Sequence, residues 1–177
     1  MPLPSVTLKP RAVIEGDRVR LRRIKPKDRS ALMAILALPG VARWWSPGGP
    51  EEAVKYLYGK EDVGYVIEVD GQIAGAISYG EQIEPDYEAA SIDIFLADSY
   101  QGRGLGPAAI RTLARYLLEV RGHHRLTIDP ALTNEAAIRA YEKVGFRRLG
   151  VARAYELGAD GTWHDNLLMD LLAGELR

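Results

Sequence analysis

Apolar and polar positions follow two distinct periods along this chain, and the change of period separates its elements. From Val19 to Ile24, apolar Val, Leu and Ile alternate with Arg20, Arg22 and Arg23, the period-two pattern of a half-buried strand. After Pro26 the spacing turns helical through Ala31, Leu32, Ile35, Leu36 and Leu38, and Pro39-Gly40 closes that run. A loop rich in turn formers, Arg43-Trp44-Trp45-Ser46-Pro47-Gly48-Gly49-Pro50, leads to a short amphipathic helix from Glu51 to Tyr58. Gly64 to Val69 and Gln72 to Tyr79 flank Asp70-Gly71, a two-residue hairpin turn. A polar stretch carrying Glu81, Glu84, Asp86 and Glu88 precedes a third strand, Ala89 to Leu96.

The second half predicts a long helix opened by Gly104-Leu105-Gly106-Pro107 and running to Glu119. A short strand from Leu126 to Ile128 follows, then a helix from Asn134 to Val144 ended by Gly145. Two more strands, Arg147 to Tyr155 and Thr162 to Leu171, flank the turn Gly158-Ala159-Asp160-Gly161. The order β-α-α-β-β-β-α-β-α-β-β implies an α/β fold with a mixed, mostly antiparallel central sheet flanked by helices. At 177 residues the chain fits one domain, 1–177, with residues 1–12 a loose leader rich in proline.

Composition narrows the function. The chain is 47% hydrophobic and 27% charged, ordinary for a globular protein. Its 23 basic and 24 acidic side chains leave a formal charge of −1, which argues against a broad basic face for nucleic acid. With no cysteine there is no thiolate metal site and no cysteine nucleophile. No apolar run approaches the ~18 residues of a spanning helix, and the N-terminus does not read as a secretory signal. The expectation is a cytoplasmic protein without a membrane or nucleic-acid partner. His123 and His124 are spaced poorly for a shared metal and read as surface residues, so no metal is expected. The chain is either a monomer or a homodimer; the strand Leu167 to Leu172 would pair across a dimer or lie inside one subunit.

The richest chemistry lies in Gln101-Gly102-Arg103-Gly104-Leu105-Gly106-Pro107, between a strand and a helix. Three glycines permit tight backbone geometry and close ligand approach. The first helical amides have no intrahelical partner and lie at the positive end of the dipole, which suits a pyrophosphate. A nucleoside-triphosphate P-loop is excluded, because no Lys-Ser/Thr pair follows Gly106. Gly104 to Ala109 also satisfies the dinucleotide pattern Gly-x-Gly-x-x-Ala, but past mid-chain and after an antiparallel meander. A turn that binds nothing is the remaining alternative.

Gln101 to Gly106 matches Gln/Arg-x-x-Gly-x-Gly/Ala of the GNAT acetyltransferase superfamily. Its companion, Asn134 followed by Ala137-Ile138-Arg139-Ala140-Tyr141-Glu142-Lys143-Val144-Gly145-Phe146, is also present. The resemblance covers Arg20 to Met169 and implies an acetyl-CoA-dependent N-acetyltransferase. It places the pyrophosphate of the coenzyme on Gln101, Gly102, Arg103, Gly104, Leu105 and Gly106, and its pantetheine arm along Ile94, Phe95 and Leu96. Asn134 would hydrogen-bond that arm, and Tyr141 would be the general acid at the sulfur. Attack on a thioester requires a free amine, hence a proton acceptor.

Finer features resemble the aminoglycoside 6′-N-acetyltransferases, which confer antibiotic resistance. Arg43-Trp44-Trp45 is similar to that group's Trp-Trp, and Ser91-Ile92-Asp93 places a carboxylate where the group has its proposed base. Thr127-Ile128-Asp129-Pro130 resembles a segment whose aspartate binds the acceptor. The resemblance thus implies an aminoglycoside at Trp44, Trp45 and Asp129, with Glu84, Asp86 and Glu88 as further carboxylates attracting a polycation. Each residue also has a structural reading: Tyr141 and the tryptophans as packing, Asp93 as a network end, Asp129 as a turn residue, the acidic loop as solvated surface. Two other functions stay open, a GNAT acting on another small amine, a siderophore hydroxylamine or a peptide N-terminus, and a non-catalytic acetyl-CoA-binding module.

Overall fold

The turn residues Asp70 and Gly71 adopt φ of 50° and 77°, the left-handed pair that a two-residue hairpin needs. They join β3 (Asp62–Val69) to β4 (Gln72–Gln82), and β5 (Ala89–Leu96) pairs antiparallel with β4 along its whole length. In the computed structural model, which describes residues 8–45 and 47–177, this meander is the middle of one eight-stranded sheet ordered β1-β2-β3-β4-β5-β6-β8-β7. Strand β1 (Val13–Glu15) and β2 (Arg20–Arg23) extend one side; β6 (Arg125–Ile128), β7 (Arg147–Leu157) and β8 (Trp163–Leu172) extend the other.

Alternation within the strands sends side chains to both faces, and helices cover each. Tyr65, Ile67, Ile77, Tyr79 and Ile92 pack against the apolar stripe of α4 (Leu105–Arg115), namely Leu105, Ala109, Ile110 and Leu113. Ile138, Tyr141 and Val144 of α5 (Glu135–Val144) join the same core. Val66, Ala76 and Phe95 point the other way, onto α1 (Arg29–Leu36), α2 (Pro39–Ala42) and α3 (Gly49–Leu57).

The parallel pairing of β5 with β6 matters most. Strands β5 and β6 share only Ala90↔Leu126 and Ser91↔Thr127 before they separate. β6 is four residues long and is followed by Asp129-Pro130, where proline removes a ladder donor. The sheet therefore opens beyond Ser91.

Several expectations need correction. Pro39 opens α2 instead of closing a run, as its fixed φ allows at a first helical turn. β1 lies just after the supposed leader, part of which is tied down: Arg121 Nη1 donates to the Leu8 carbonyl at 2.7 Å and Tyr65 Oη to that of Arg11 at 2.9 Å. Residues 1–7 and Ser46 lie outside the described residues. β8 is an inner strand between β6 and β7, so the outer edge is β7. His123 is not a surface residue: at 1% exposure it bridges Glu81, 2.7 Å from Nε2, and Glu88, against Nδ1.

Candidate active site

Where β5 and β6 part, a cleft of about 370 Å³ opens. Ile94, Phe95 and Leu96 line one wall, beyond the last rung of the β5–β6 ladder. Backbone groups on such an open edge can pair with an extended ligand. Gln101 Nε2 donates to the Leu96 carbonyl at 2.9 Å, which fastens the glycine turn to the end of β5. Gly102 and Gly104 lie at φ of 70° and 76°. A Cβ built on Gly102 meets nothing within 4 Å, so any side chain there would project into open space.

Gly104 is the N-cap of α4, and the first returning amide is that of Ala108, at 3.2 Å from the Gly104 carbonyl. The amides of Leu105 and Gly106 precede that bond and have no intrahelical partner. Arg103 gives its carbonyl to Arg18 Nη2 at 2.9 Å, while Leu105 sends its side chain into the core. Across the cleft Asn134 caps α5: its Oδ1 accepts from the Ala137 amide at 3.2 Å, so the side-chain group left to donate is Nδ2.

A second cavity, about 640 Å³, adjoins the cleft; Trp44, Trp45, Ile94, Asn134 and Tyr141 line both. Trp45 meets Phe95 edge-on at 5.1 Å, so it packs the core and faces the cavity at once, and the Arg43 guanidinium lies 4.6 Å over the Trp44 ring. Asp93, Asp129, Tyr155, Glu156 and Asn166 complete the far wall. β5, the end of β6, α5, β7 and β8 thus converge on one chamber.

A family model described as an acetyltransferase (GNAT) domain matches residues 18–147. This chain belongs to the GNAT acetyltransferase family. An aminoglycoside N(6′)-acetyltransferase type 1 of Klebsiella pneumoniae is 31% identical over 157 residues, covering 76% of this chain and 77% of that one. Among solved structures, AAC(6′)-Ib in complex with ribostamycin and coenzyme A superposes with a TM-score of 0.72 at 25% identity, over 89% of this chain and 94% of that one. Mycobacterium smegmatis RimJ in complex with CoA-disulfide gives 0.77 at 25% identity, over 93% and 86%. The protein is therefore a GNAT acyltransferase, and its sheet is the family's.

Within this GNAT chamber, Asp93 opens to the cavity but is hemmed in by protein on its other sides. That burial, joined by the charges of Asp129, Asp62 and Glu156, pushes its carboxyl up to about 7. Burial likewise raises Asp129; Tyr155 opposes the shift by hydrogen bonding, and Glu156 adds to it. Burial, then the charges of Asp93 and Asp129, raises Tyr141 and keeps it a phenol at neutral pH. The chamber lining therefore carries a carboxyl raised to about 7 and a phenol that stays protonated at neutral pH.

The acidic loop expected at the acceptor is elsewhere. Glu84 and Asp86 are exposed on the β4–β5 connection, and none of Glu84, Asp86 and Glu88 lines the chamber. Glu88 begins the approach to β5 five residues before Asp93 and is 6% exposed, against both His123 and His124. Sequence reasoning missed Tyr155, Glu156 and Asn166, because their place depends on β8 lying between β6 and β7. Glu156 keeps the alternation between Tyr155 and Leu157, so its place in the sequence gave no sign of the chamber.

Proposed function

We propose that this GNAT enzyme transfers the acetyl group of acetyl-CoA to an amine of an aminoglycoside, the 6′-amine, and thereby confers resistance. The observation that carries this reading is the acidic, tryptophan-flanked chamber directly adjoining the glycine-lined cleft. Asp93, Asp129 and Glu156 offer a polycation three carboxylates, and Trp44 presents an apolar wall to a sugar ring. The similarity to the Klebsiella enzyme supports the same choice.

Acetyl-CoA would supply an acetyl group activated as a thioester. The bare amides from Gly102 to Gly106 would hold its diphosphate, the β5 edge at Ile94 to Leu96 its extended arm, and Asn134 Nδ2 a carbonyl of that arm. Asp93, ionised above about pH 7, takes a proton from the acceptor ammonium, directly or through water. The free nitrogen then forms the new C–N bond as the C–S bond breaks, and Tyr141 gives its proton to the departing sulfur. The remaining nitrogen proton returns through water to the tyrosine oxygen.

The direct test is thiol release from acetyl-CoA with kanamycin, followed by NMR location of the new acetyl group. Acetylation at the 6′-nitrogen is expected. Release with peptide N-terminal amines but none with kanamycin would overturn the acceptor assignment.

A further inference from the structure

Trp44, Trp45, Ile94, Asn134 and Tyr141 line both the cleft and the chamber, so they stand where the two cavities meet. In the proposed transfer the thioester carbonyl lies at this junction, with its sulfur reached from the cleft and the acceptor nitrogen from the chamber. Asn134 and Tyr141 then serve the arm and the sulfur, Ile94 lends its strand edge, and Trp44 faces the sugar. Trp45 is left beside the acyl group.

The two tryptophans are held differently. Trp44 carries the Arg43 guanidinium over its ring. Trp45 sets its ring edge-on to Phe95 at an interplanar angle of 82°, and it packs against the apolar cluster that contains Leu36, Val41, Val54 and Phe95. Phe95 is 5% exposed and lies two residues beyond Asp93 on β5, so it shares a sheet face with the proposed base. The backbone under the indole is fixed as well. The amides of Trp44 and Trp45 donate to the carbonyls of Val41 and Ala42 at 3.0 and 3.2 Å, which continues α2 by a turn. α2 sits against the approach to the glycine turn, since a Cβ built on Gly40 would run into the Asp98 carboxylate. A ring tied down in this way cannot swing aside without leaving a void beside Phe95.

We propose that Trp45 is an acyl-length gate: its ring, braced by Phe95, closes the apolar side of the junction and restricts the transferred group to acetyl. The proposal deepens the acetyl-transfer reading and rests on it. The extra methylenes of a butyryl group would have two places to go. Against the indole they would force apart a packed wall, which overpacking makes unfavourable. Turned into the chamber they would strip water from the carboxylates of Asp93 and Asp129 and fill the space of the acceptor amine. A smaller side chain at position 45 opens apolar room beside Phe95, where methylenes are favourably buried.

The test measures kcat/KM for acetyl-, propionyl- and butyryl-CoA with kanamycin as acceptor, in the parent, Trp45→Phe and Trp45→Leu. Calorimetry gives the affinities of the same three thioesters and of free CoA. The parent's kcat/KM should fall about tenfold or more per added methylene, the discrimination of a tight apolar pocket. Trp45→Leu should narrow the acetyl-to-butyryl ratio about tenfold or more, with Trp45→Phe between it and the parent. Affinity for free CoA, which has no acyl group to meet the gate, should stay within about threefold. A parent indifferent to chain length, or variants that keep its ratio, overturns the gate and leaves the transfer reading standing. Equal loss with all three thioesters makes Trp45 a packing residue and also overturns it. If CoA binds but kanamycin is not acetylated, the acceptor assignment falls, and the ratio of acetyl-CoA to butyryl-CoA affinity decides the gate by the same criterion. No binding of free CoA overturns the coenzyme reading and the gate together.

Discussion

In the proposed transfer Asp93 and Tyr141 divide the proton work, because one chamber shifts both groups upward from different starting points. A carboxyl raised to about 7 is protonated in mildly acidic solution and cannot accept a proton there. The parent's kcat/KM should therefore rise with pH through about 7, and Asp93→Asn should lose that inflection and about 10²-fold in rate above it. The same shift has a stability sign. Burying the ionised form is unfavourable, so the penalty is absent below the ordinary Asp value of 3.8 and complete above about 7. Asp93→Asn should thus melt higher than the parent at pH 8 and with it at pH 4. Tyr141→Phe keeps the ring that packs 6.4 Å from Phe146 and removes only the hydroxyl. It should lower kcat about 10- to 100-fold with KM for acetyl-CoA within about threefold; full activity would remove Tyr141 from the chemistry.

At the scale of the element, the glycine turn depends on backbone conformation, since Gly102 and Gly104 lie at positive φ, where a side chain is strained. Gly104 has φ 76° as the cap of α4, and a Cβ there would sit 3.2 Å from Arg18 Nη1. Gly104→Val imposes a β-branched side chain on a left-handed backbone position, a strain of about 1–2 kcal/mol, and crowds the amides proposed to hold the diphosphate. KM for acetyl-CoA should rise more than about tenfold in steady-state kinetics, while the secondary structure measured by circular dichroism stays that of the parent. An unchanged KM would remove the loop from coenzyme binding. The last turns of the same helix differ in kind: Tyr116–Val120 widens into a π-helix, which brings Arg121 and His123 to the β4–β5 connection.

That junction ties the molecule together over long sequence distances. Arg121, 3% exposed, forms a two-pronged pair with Glu81 at 2.6 and 2.8 Å and also holds the Leu8 carbonyl. Burial favours protonation of Glu81 and Glu88, but hydrogen bonds outweigh it: Arg121 and His123 hold Glu81 below the usual 4.5, as His123 and His124 hold Glu88. Carboxylates shifted downward contribute stability above their unfolded value and lose it as pH falls through the folded one. Urea denaturation should therefore show stability falling steeply below about pH 4.5. Arg121→Met removes the guanidinium paired with Glu81, and at pH 7 it should lose about 3–5 kcal/mol, the scale of a broken buried pair.

Local pattern determined most of the elements. Asp70-Gly71 demanded a hairpin, Ala89 to Leu96 alternated as the strand it became, and three glycines before a helix marked a tight turn that holds Gly102 and Gly104 at positive φ. Asp93, Asp129, Asn134 and Tyr141, which line the chamber, were singled out by resemblance to a known family and not by periodicity. Tertiary structure alone decided what surrounds them. His123 looked like surface beside His124 until the β4–β5 connection folded over it, and Glu88 was drawn to that junction and away from the acceptor chamber. Glu156 and Asn166 reached the chamber only because β8 inserted between β6 and β7 and a bulge turned the outer strand. Hydrophobic periodicity records which face of an element is buried; which distant charge meets it is set by the order of strands across the sheet, and that order is settled by packing the whole chain at once.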